Sequence, residues 1–452
     1  TVRDLIAFRF QIQESDPARM VREKLEAGVS VALGDEGHSQ AAAHLIGRLL
    51  GFEIGASPHL AAVQDDAQAM RDQALVHMDG YFQGMAAQVP VLVLLEDLHW
   101  ADDSSLDALN HLAQALTGQP LLVVGAARPE LFERRPHWGE GQPFHAQLEL
   151  QRLSKWDSRR LVAEILQKVM EVPQALRDLI VAGAEGNPFF IEELVKMLVE
   201  DGVIVKGDEE WGVEHRQLVD ARVPATLTGV LQARVDRLPA EERTVLQQAS
   251  VVGRLFWDRA VARINASAGK GIEEAEIRNN LSALRGREMV FQRETSAFVD
   301  AQEYLFKHAL LREVTYESVL KRVRRVYHGL VADWLLEQAG ERLEEYTALI
   351  ADHLELAGRT EDAVEYLLQA GDRARGLYAH QEAIRAYERG LALQRKLGDD
   401  KGAARTQMKL GLSYEAAFDF RRSQKAFQES VELLQQAEAE SPAVPPPPAP
   451  HA

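Results

Sequence analysis

Two adjacent acids, Glu96 and Asp97, terminate the stretch VPVLVLLEDLHWADD at residues 89–103. Carboxylates are hard oxygen donors, so one of the pair can hold Mg²⁺ while the other polarises a water molecule. Their position suits that chemistry. A short all-apolar run reads as a strand buried on both faces, which means a parallel sheet beneath helices. Open α/β sheets bind ligands outside the carboxyl ends of their strands, where these acids fall. A solvated strand end is the plain alternative. The near-continuous apolar run ahead of the pair counts against it.

Other elements must hold that strand end in place. Residues 1–88 read as mostly helical. Met20, Val21, Leu25 and Val29 fall near one stripe after an Asp16-Pro17 start, an apolar helix over 41–50 stops at Gly51, and a third covers 65–83. After the strand, residues 102–105 offer N-caps, and Ser104 with Asp107 spells a capping box. Leu106, Leu109, Leu112 and Leu116 line one face of the helix that follows, and Gly118-Gln119-Pro120 ends it. Residues 121–126 form a second apolar strand before Arg128-Pro129, so the segment reads as a βαβ unit. Residues 147–150 read as a short last strand.

From 156 to 205 the pattern is helical. Its best-marked helix starts at Asn187-Pro188 and carries Ile191, Leu194, Val195 and Leu198 as an i, i+3, i+4, i+7 stripe. Gly202 closes it. Helices over 225–237, 240–252 and 273–284, followed by strands at 289–293 and 304–307, suggest a winged-helix module. From 319 onward the chain is all-helical and repeats. Ala386-Tyr387 aligns with Ala426-Phe427, and Ala383 with Ser423, at a period of 40 residues. Tetratricopeptide repeats have a period near 34, and residues 396–402 can absorb the excess as linker. From Ser441 the chain reads as a disordered Pro-rich tail carrying Pro445 to Pro448.

Composition bounds the rest. A length of 452 residues accommodates roughly three domains at about 150 each. The net charge of −18 argues against general nucleic-acid affinity. Cysteine is absent, which excludes disulfides, thiolate metal sites and a Cys nucleophile, and fits a reducing cytosol. No apolar stretch reaches the roughly 18 residues of a membrane helix.

The blocks VLVLLEDLHWADDSSLDAL, LLVVGAARPE and AEGNPFFIEEL resemble the STAND class of P-loop NTPases. The branch is that of bacterial signalling ATPases found beside adenylate cyclase, Ser/Thr kinase or LuxR-type DNA-binding domains. Two later blocks, FKHALLREVTYESVLKRVRRVYHGLVADWL and ADHLELAGRTEDAVEYLLQAGDRA, are similar to segments that follow the ATPase module in such proteins. The resemblance runs to about residue 435 and rests on the order and spacing of the blocks together. It implies an α/β parallel-sheet P-loop NTPase remainder over 1–150. An all-α lid (151–222), a winged-helix α+β module (223–318) and an α-helical TPR-like solenoid (319–440) follow.

Carried over by position, Glu96 and Asp97 occupy the Walker B site, the first for Mg²⁺ and the second for the attacking water. Glu is longer than the commoner Asp, which leaves the division of roles open. Arg128 matches the sensor arginine that reaches the γ-phosphate. Gly186, Asn187 and Pro188 match the GxP motif, whose proline packs against adenine; here that proline also starts a helix. The implied cofactors are ATP and Mg²⁺. The implied partners are a protein or small ligand on the repeats, and an output domain that is a cyclase, a kinase or a DNA-binding module. The implied place is the cytoplasm.

One departure is large. No G-x-x-x-x-G-K-[ST] loop occurs, and the one Gly-Lys, at Gly269-Lys270, is followed by Gly271 and has Ile264 where the first Gly should be. In the family that loop precedes the residues that begin here, and its amides cradle the phosphates. The chain therefore reads as an N-terminally truncated ATPase piece with weak or no nucleotide binding, its hydrolytic activity belonging to a longer parent. Two other readings stay open: a non-catalytic scaffold on a degenerate NTPase fold, and the ATPase portion of a transcriptional activator.

Several residues have plainer roles. His99 and Trp100 read as packing beneath the site, and Arg134 and Arg135 as loop charges rather than arginine fingers. The basic run Lys321, Arg322, Arg324 and Arg325 reads as the solvated face of a helix that buries Val319, Val323, Val326 and Leu330. The acids Glu273, Glu274 and Glu276 open the candidate recognition helix and would repel phosphates, so the winged-helix module reads as an intramolecular arm.

Overall fold

The computed structural model describes residues 2–439, apart from 14–15, 35, 62, 64–65, 143 and 268–272. The Pro-rich tail and the Gly269-Lys270-Gly271 segment lie outside the described residues, as does Asp65. The chain is mostly helical and divides into two compact units. One comprises 1–145, 296–299 and 332–452; the other comprises 146–295 and 300–331.

In the first unit, Pro17 precedes the Ala18–Leu33 helix, which buries Val21, Leu25 and Val29. Met20, placed on that stripe by the sequence, is exposed. The Glu36–Leu49 helix ends before Gly51, which holds φ +72°, a left-handed conformation that suits a residue without Cβ. The Ala67–Gln88 helix is capped by Asp66, which accepts from the Ala69 amide. Strands β1 (Val91–Leu95) and β2 (Leu121–Gly125) pair in parallel, from Val91 opposite Leu121 to Leu95 opposite Gly125. The Asp103–Ala115 helix connects them and buries Leu106, Leu109 and Leu112.

The expected two-sided burial of β1 is corrected. Val93 and Leu95 face the core, while Leu92, Leu94, Leu122 and Val124 are exposed on the opposite side. Successive side chains of a strand point to opposite faces, so a sheet covered on one side leaves alternate residues bare however apolar the run is. Residues 147–150 form no strand, and Leu148 and Leu150 stand exposed.

The same unit carries the helical array: Leu343–Ala357, Thr360–Gly376, His380–Leu397, Asp400–Ala416 and Phe420–Ala439. The period of 40 is visible in three dimensions. Gly371 abuts the ring of Tyr387 and Gly411 abuts the ring of Phe427, and Tyr378 and Phe418 turn the chain with φ of 63° and 61°. Only Gly398 and Asp399 separate the His380–Leu397 and Asp400–Ala416 helices. The excess over 34 residues therefore lies in long helices, not in a linker as the sequence suggests. Tyr387 and Tyr414 donate their hydroxyls to Asp372 and Glu388. Burial and the Glu388 carboxylate push the Tyr414 hydroxyl up to about 12.

In the second unit the Pro188–Glu200 helix starts at Asn187, whose side chain accepts from the Phe190 amide, and buries Ile191, Leu194, Val195 and Leu198 as expected. A hairpin of β3 (Ile204–Lys206) and β4 (Trp211–Val213) follows it. Beyond lie the Leu227–Asp236, Ala240–Val252, Asp258–Ser267 and Glu274–Gly286 helices. An antiparallel sheet orders β5 (Leu255–Trp257), β7 (Glu303–Phe306) and β6 (Val290–Gln292). On the Leu227–Asp236 helix Arg234, fully buried, grips both carboxylate oxygens of Glu200, pairs with Glu193 and donates to the Arg287 carbonyl. Beside it Glu288 is held down at about 2, chiefly by its hydrogen bond from Lys307 and then by Lys196.

The basic helix differs from its expected packing. Val326 is exposed, and Arg324 and His328 turn inward instead. The Arg324 guanidinium lies 4.5 Å from the Tyr316 ring centre and pairs with Glu317 at 2.9 Å. A cation over a ring with a carboxylate partner can be buried where an unpaired one cannot.

The ring seated on Gly411 sets a sign test. An added Cβ would lie 2.5 Å from the Phe427 ring. Gly411→Ala should destabilise by roughly 1–3 kcal/mol through overpacking, against the helix-propensity gain of about 1 kcal/mol. Gly376→Ala, with open space around it, should be neutral or stabilising. Urea unfolding of the two variants measures both.

Candidate functional site

Parallel pairing brings the carboxyl ends of β1 and β2 together. The Ala126 amide donates to the Leu95 carbonyl at 2.8 Å, and the Leu98 amide to the Ala126 carbonyl at 2.9 Å. Between those two bonds the chain makes the Glu96-Asp97 turn. Asp97 sits at φ 54°, ψ 36°, a left-handed conformation that aspartate tolerates better than most residues. It opens a single 3-10 turn, Leu98–Trp100, closed by the Trp100 amide on the Asp97 carbonyl. Glu96 is exposed and Asp97 half-buried, so both carboxylates can meet a ligand from solvent.

Arg128 follows β2 at the same end of the sheet. Its backbone amide donates to His99 Nδ1 at 3.4 Å, and its side chain is exposed. His99 is buried, which agrees with a packing role, whereas Trp100 is half exposed. The structure thus gathers Glu96, Asp97 and the Arg128 main chain around one strand-end turn.

Gly186, Asn187 and Pro188 belong to the second unit. Gly186 holds φ +78° with the Leu153 carbonyl packed where a Cβ would stand, and its own carbonyl accepts from the Leu153 amide at 2.8 Å. No other residue fits that turn without displacing the Leu153 backbone. Asn187 caps and Pro188, exposed, starts the helix.

The acid pair fits a hard divalent cation by donor type. Mg²⁺ keeps several waters and takes one or two protein carboxylates. The amide cradle for nucleotide phosphates is not spelled by any Gly-rich Lys-Ser/Thr stretch of the sequence.

A further group of residues lies one turn past the acids, and the sequence did not single it out. Asp103, the first residue of its helix and buried, meets three arginines. Arg385 Nη1 lies 2.8 Å from its Oδ2; Arg135 Nη1 and Arg134 Nε lie 3.4 and 3.7 Å from its Oδ1. Arg134 also donates to the Ala101 carbonyl at 2.6 Å, and Arg135 pairs with Asp107. Both arginines are thus structural ties, in line with their reading as non-catalytic. Glu382 closes the group by accepting from the Asp103 amide at 3.0 Å and pairing with Arg385. The helix after the acids is therefore pinned to the His380–Leu397 helix of the array.

Among the N-caps that residues 102–105 offer, Asp102 caps this helix, accepting from the Ser105 amide at 2.7 Å and the Ser105 hydroxyl at 2.6 Å, while Ser104 donates to Glu382 instead of making the expected box with Asp107. Burial pushes the Asp102 carboxyl up, but the Ser105 hydroxyl and amide hold it below its ordinary value. For Arg385, burial works against the charge, and Asp103 and Glu382 more than offset it. An acid at a helix start was the only sequence signal for Asp103; its partner 282 residues away left none.

Among known proteins, residues 154–210 match a family described as a domain of unknown function, DUF8739. The chain is 24% identical over 352 residues to an uncharacterised protein of Rhizobium meliloti (strain 1021), an alignment that takes in 76% of this chain. The chain spans about a third, 32%, of that relative's length. A solved structure of a signal transduction ATPase with numerous domains, carrying a tetratricopeptide repeat sensor, from Pyrococcus horikoshii, is similar over 91% of this chain and 71% of its own. The TM-score is 0.37 and the identity 11%. No helix among the described residues is long and apolar enough to cross a membrane.

The Asp103 group makes a coupling prediction. Asp103→Asn should destabilise by roughly 1–3 kcal/mol, since the buried carboxylate that three arginines share is lost. Arg385→Ala and Asp103→Asn should combine with a coupling of at least about 0.5 kcal/mol in a double-mutant cycle. The acid limb has a sign of its own. A depressed Asp102 stabilises the fold above its ordinary value of 3.8 and loses that contribution as pH falls below it. Asp102→Ala should therefore flatten the pH dependence of stability below about pH 4.

Proposed function

We propose that this chain is a regulatory ATPase module of STAND type, in which a nucleotide-dependent switch is joined to a helical repeat array that senses a ligand or protein. The observation that carries the reading is the strand-end turn, with Glu96, Asp97 and Arg128 at one end of a parallel strand pair. It is joined by the ordered series of blocks from VLVLLEDLHWADD through AEGNPFFIEEL to the repeats.

Glu96 and Asp97 would hold Mg²⁺ and orient the attacking water. Bound Mg²⁺ would neutralise charge on the phosphates and supply a Lewis acid. Arg128, exposed on the next strand end, would meet the terminal phosphate as a planar bidentate donor. Pro188, exposed at a helix start and fixed by the Gly186 turn, would offer a rigid apolar ring to adenine. The second unit would then act as the lid and the winged-helix-like arm. Its Glu274–Gly286 helix opens with exposed Glu274 and Glu276, which favours a partner other than nucleic acid. The Asp103–Arg385 and Asp103–Glu382 bonds favour coupling between the acid turn and the array, whose output would pass to a cyclase, kinase or DNA-binding domain in the cytoplasm.

One observation favours a second reading. The sequence spells no phosphate-cradling loop, which suits a protein-binding scaffold on a degenerate NTPase fold. Hydrolysis decides between them. The product of the gene should hydrolyse ATP in the presence of Mg²⁺. Glu96→Ala with Asp97→Ala should lower turnover at least about 100-fold, the loss of metal and water positioning together. Undiminished turnover in the double variant would sink the catalytic assignment. Absence of turnover and of ATP binding in the wild-type gene product would establish the scaffold.

A further inference from the structure

A cavity of about 270 Å³ lies in the first unit, away from the acid turn, and its chemistry is lopsided. The residues lining it are contributed by distant parts of the chain: Arg3, Leu50 and Gly51 from one end, Glu345, Tyr346, Arg373 and Leu377 from the helical array. Arg3 and Arg373 are its cations and Glu345 its one carboxylate.

That carboxylate is already engaged twice. Arg342 lies 2.9 Å and Arg3 3.4 Å from the same oxygen, Oε2. Arg342 is further fixed by the Ala297 carbonyl at 3.0 Å and the Tyr346 hydroxyl at 3.3 Å. Arg3 in turn rests with its guanidinium carbon 4.8 Å from the Phe52 ring centre. Neither arginine can turn Glu345 away without losing its own partner.

Arg373 is different. Its Nη2 reaches the Gly51 carbonyl only at 3.5 Å, the limit of a hydrogen bond, and its buried Nη1 has no hydrogen-bond partner. A buried guanidinium nitrogen without an acceptor costs free energy, of order 1–3 kcal/mol or more for a charged group. Nη1 itself is enclosed by protein atoms, so a ligand would meet Arg373 through the rest of its fork, whose Nη2 is only weakly engaged, in a site rich in positive charge.

Its walls are not all polar. Leu50 and Leu377 line it along with the Tyr346 ring. Gly51 sits at φ +72°, and an added Cβ there would come 3.3 Å from Leu377, so a larger residue would shrink the space beside Arg373. A volume of about 270 Å³ falls just below the roughly 300–1,000 Å³ of drug-sized ligand sites, room for a small organic molecule.

We propose that this cavity binds a small organic anion, its oxyanion head held by the Arg373 guanidinium and its apolar part against Leu50, Leu377 and Tyr346. Arg373 presents a planar fork of donors, which matches a carboxylate or a phosphate monoester. Arg3 and Arg342, locked on Glu345, supply a positive field and leave Arg373 as the group that makes the contact. The site depends neither on nucleotide nor on the Glu96-Asp97 chemistry, so it stands or falls separately from the proposed ATPase function.

Isothermal titration calorimetry on the whole chain, at constant ionic strength set with chloride, tests it. The probes are phenyl phosphate and benzoate, which share an apolar ring and differ in the head, with inorganic phosphate as the head alone. Saturable one-site binding of phenyl phosphate or benzoate is expected, tighter than any heat from inorganic phosphate; the better of the two identifies the head. Arg373→Ala should weaken it at least tenfold, Arg373→Lys should restore part of it, and Glu345→Gln should tighten it. Leu377→Trp, which fills the cavity from an apolar wall, should abolish binding while leaving Arg373 in place, and covers the case in which Arg373→Ala does not fold. Absence of saturable binding by both ring anions, or equal affinity in Arg373→Ala or Leu377→Trp, would overturn the proposal.

Discussion

The register of one short parallel ladder sets the geometry of the first unit. Leu95 opposite Gly125 is the last pair, and the backbone bonds that follow it, Ala126 to Leu95 and Leu98 to Ala126, turn both chains outward at the same end. Side-chain period in a strand is two residues, so a slip of one would exchange the faces of β1. Val93 and Leu95 would then lose the core, and Leu92 and Leu94 would take their places. The acids would also leave the level of Arg128. The buried face, built with Leu98, Leu106 and Leu109, holds the register, and everything said of the acid turn follows from it.

A second constraint is electrostatic. Asp103 is buried at a helix start, where partial positive charge on the first amides favours a carboxylate, and three arginines surround it. Such a group is a poor source of net stability, because desolvation offsets much of the attraction. It is a good source of specificity, because each partner fixes the position of the others. Arg134 and Arg135 hold the loop after β2, Glu382 and Arg385 hold the array, and all meet six residues past Asp97. The second unit contains an analogous core around Arg234, with Glu193 and Glu200 as its carboxylates. At Asp103 the buried partner is the acid and at Arg234 it is the arginine, and each is tolerated because charged partners of opposite sign surround it.

The sequence was most legible where a single local rule governs. The Asn187-Pro188 start, the i, i+3, i+4, i+7 stripe behind it and the period-40 repeat all appear in place, since caps, helical periodicity and identical helix pairs are written in neighbouring residues. Legibility failed where the deciding partner is remote. Arg324 looked like solvated charge because nothing near it announces the Tyr316 ring above its guanidinium. Leu92 and Leu94 looked buried because an apolar run does not state how many layers cover a sheet. Asp103 looked like an ordinary helix-start acid because Arg385 lies in a repeat helix far down the chain. The placement of Glu96, Asp97 and Arg128 at one end of the strand pair was legible; the pinning of the helix after them to the array was not.

The central claim is that the acid turn at residues 96–101 meets a magnesium nucleotide and is mechanically joined to the array through Asp103. Hydrogen exchange of the gene product, with and without Mg-ATP, addresses both halves at once. The account predicts slower exchange at the amides of residues 96–101 and 126–128 with nucleotide, accompanied by a change at the start of the His380–Leu397 helix that disappears in Asp103→Asn. Identical exchange at 96–101 with and without Mg-ATP, in protein that binds the nucleotide, would contradict it.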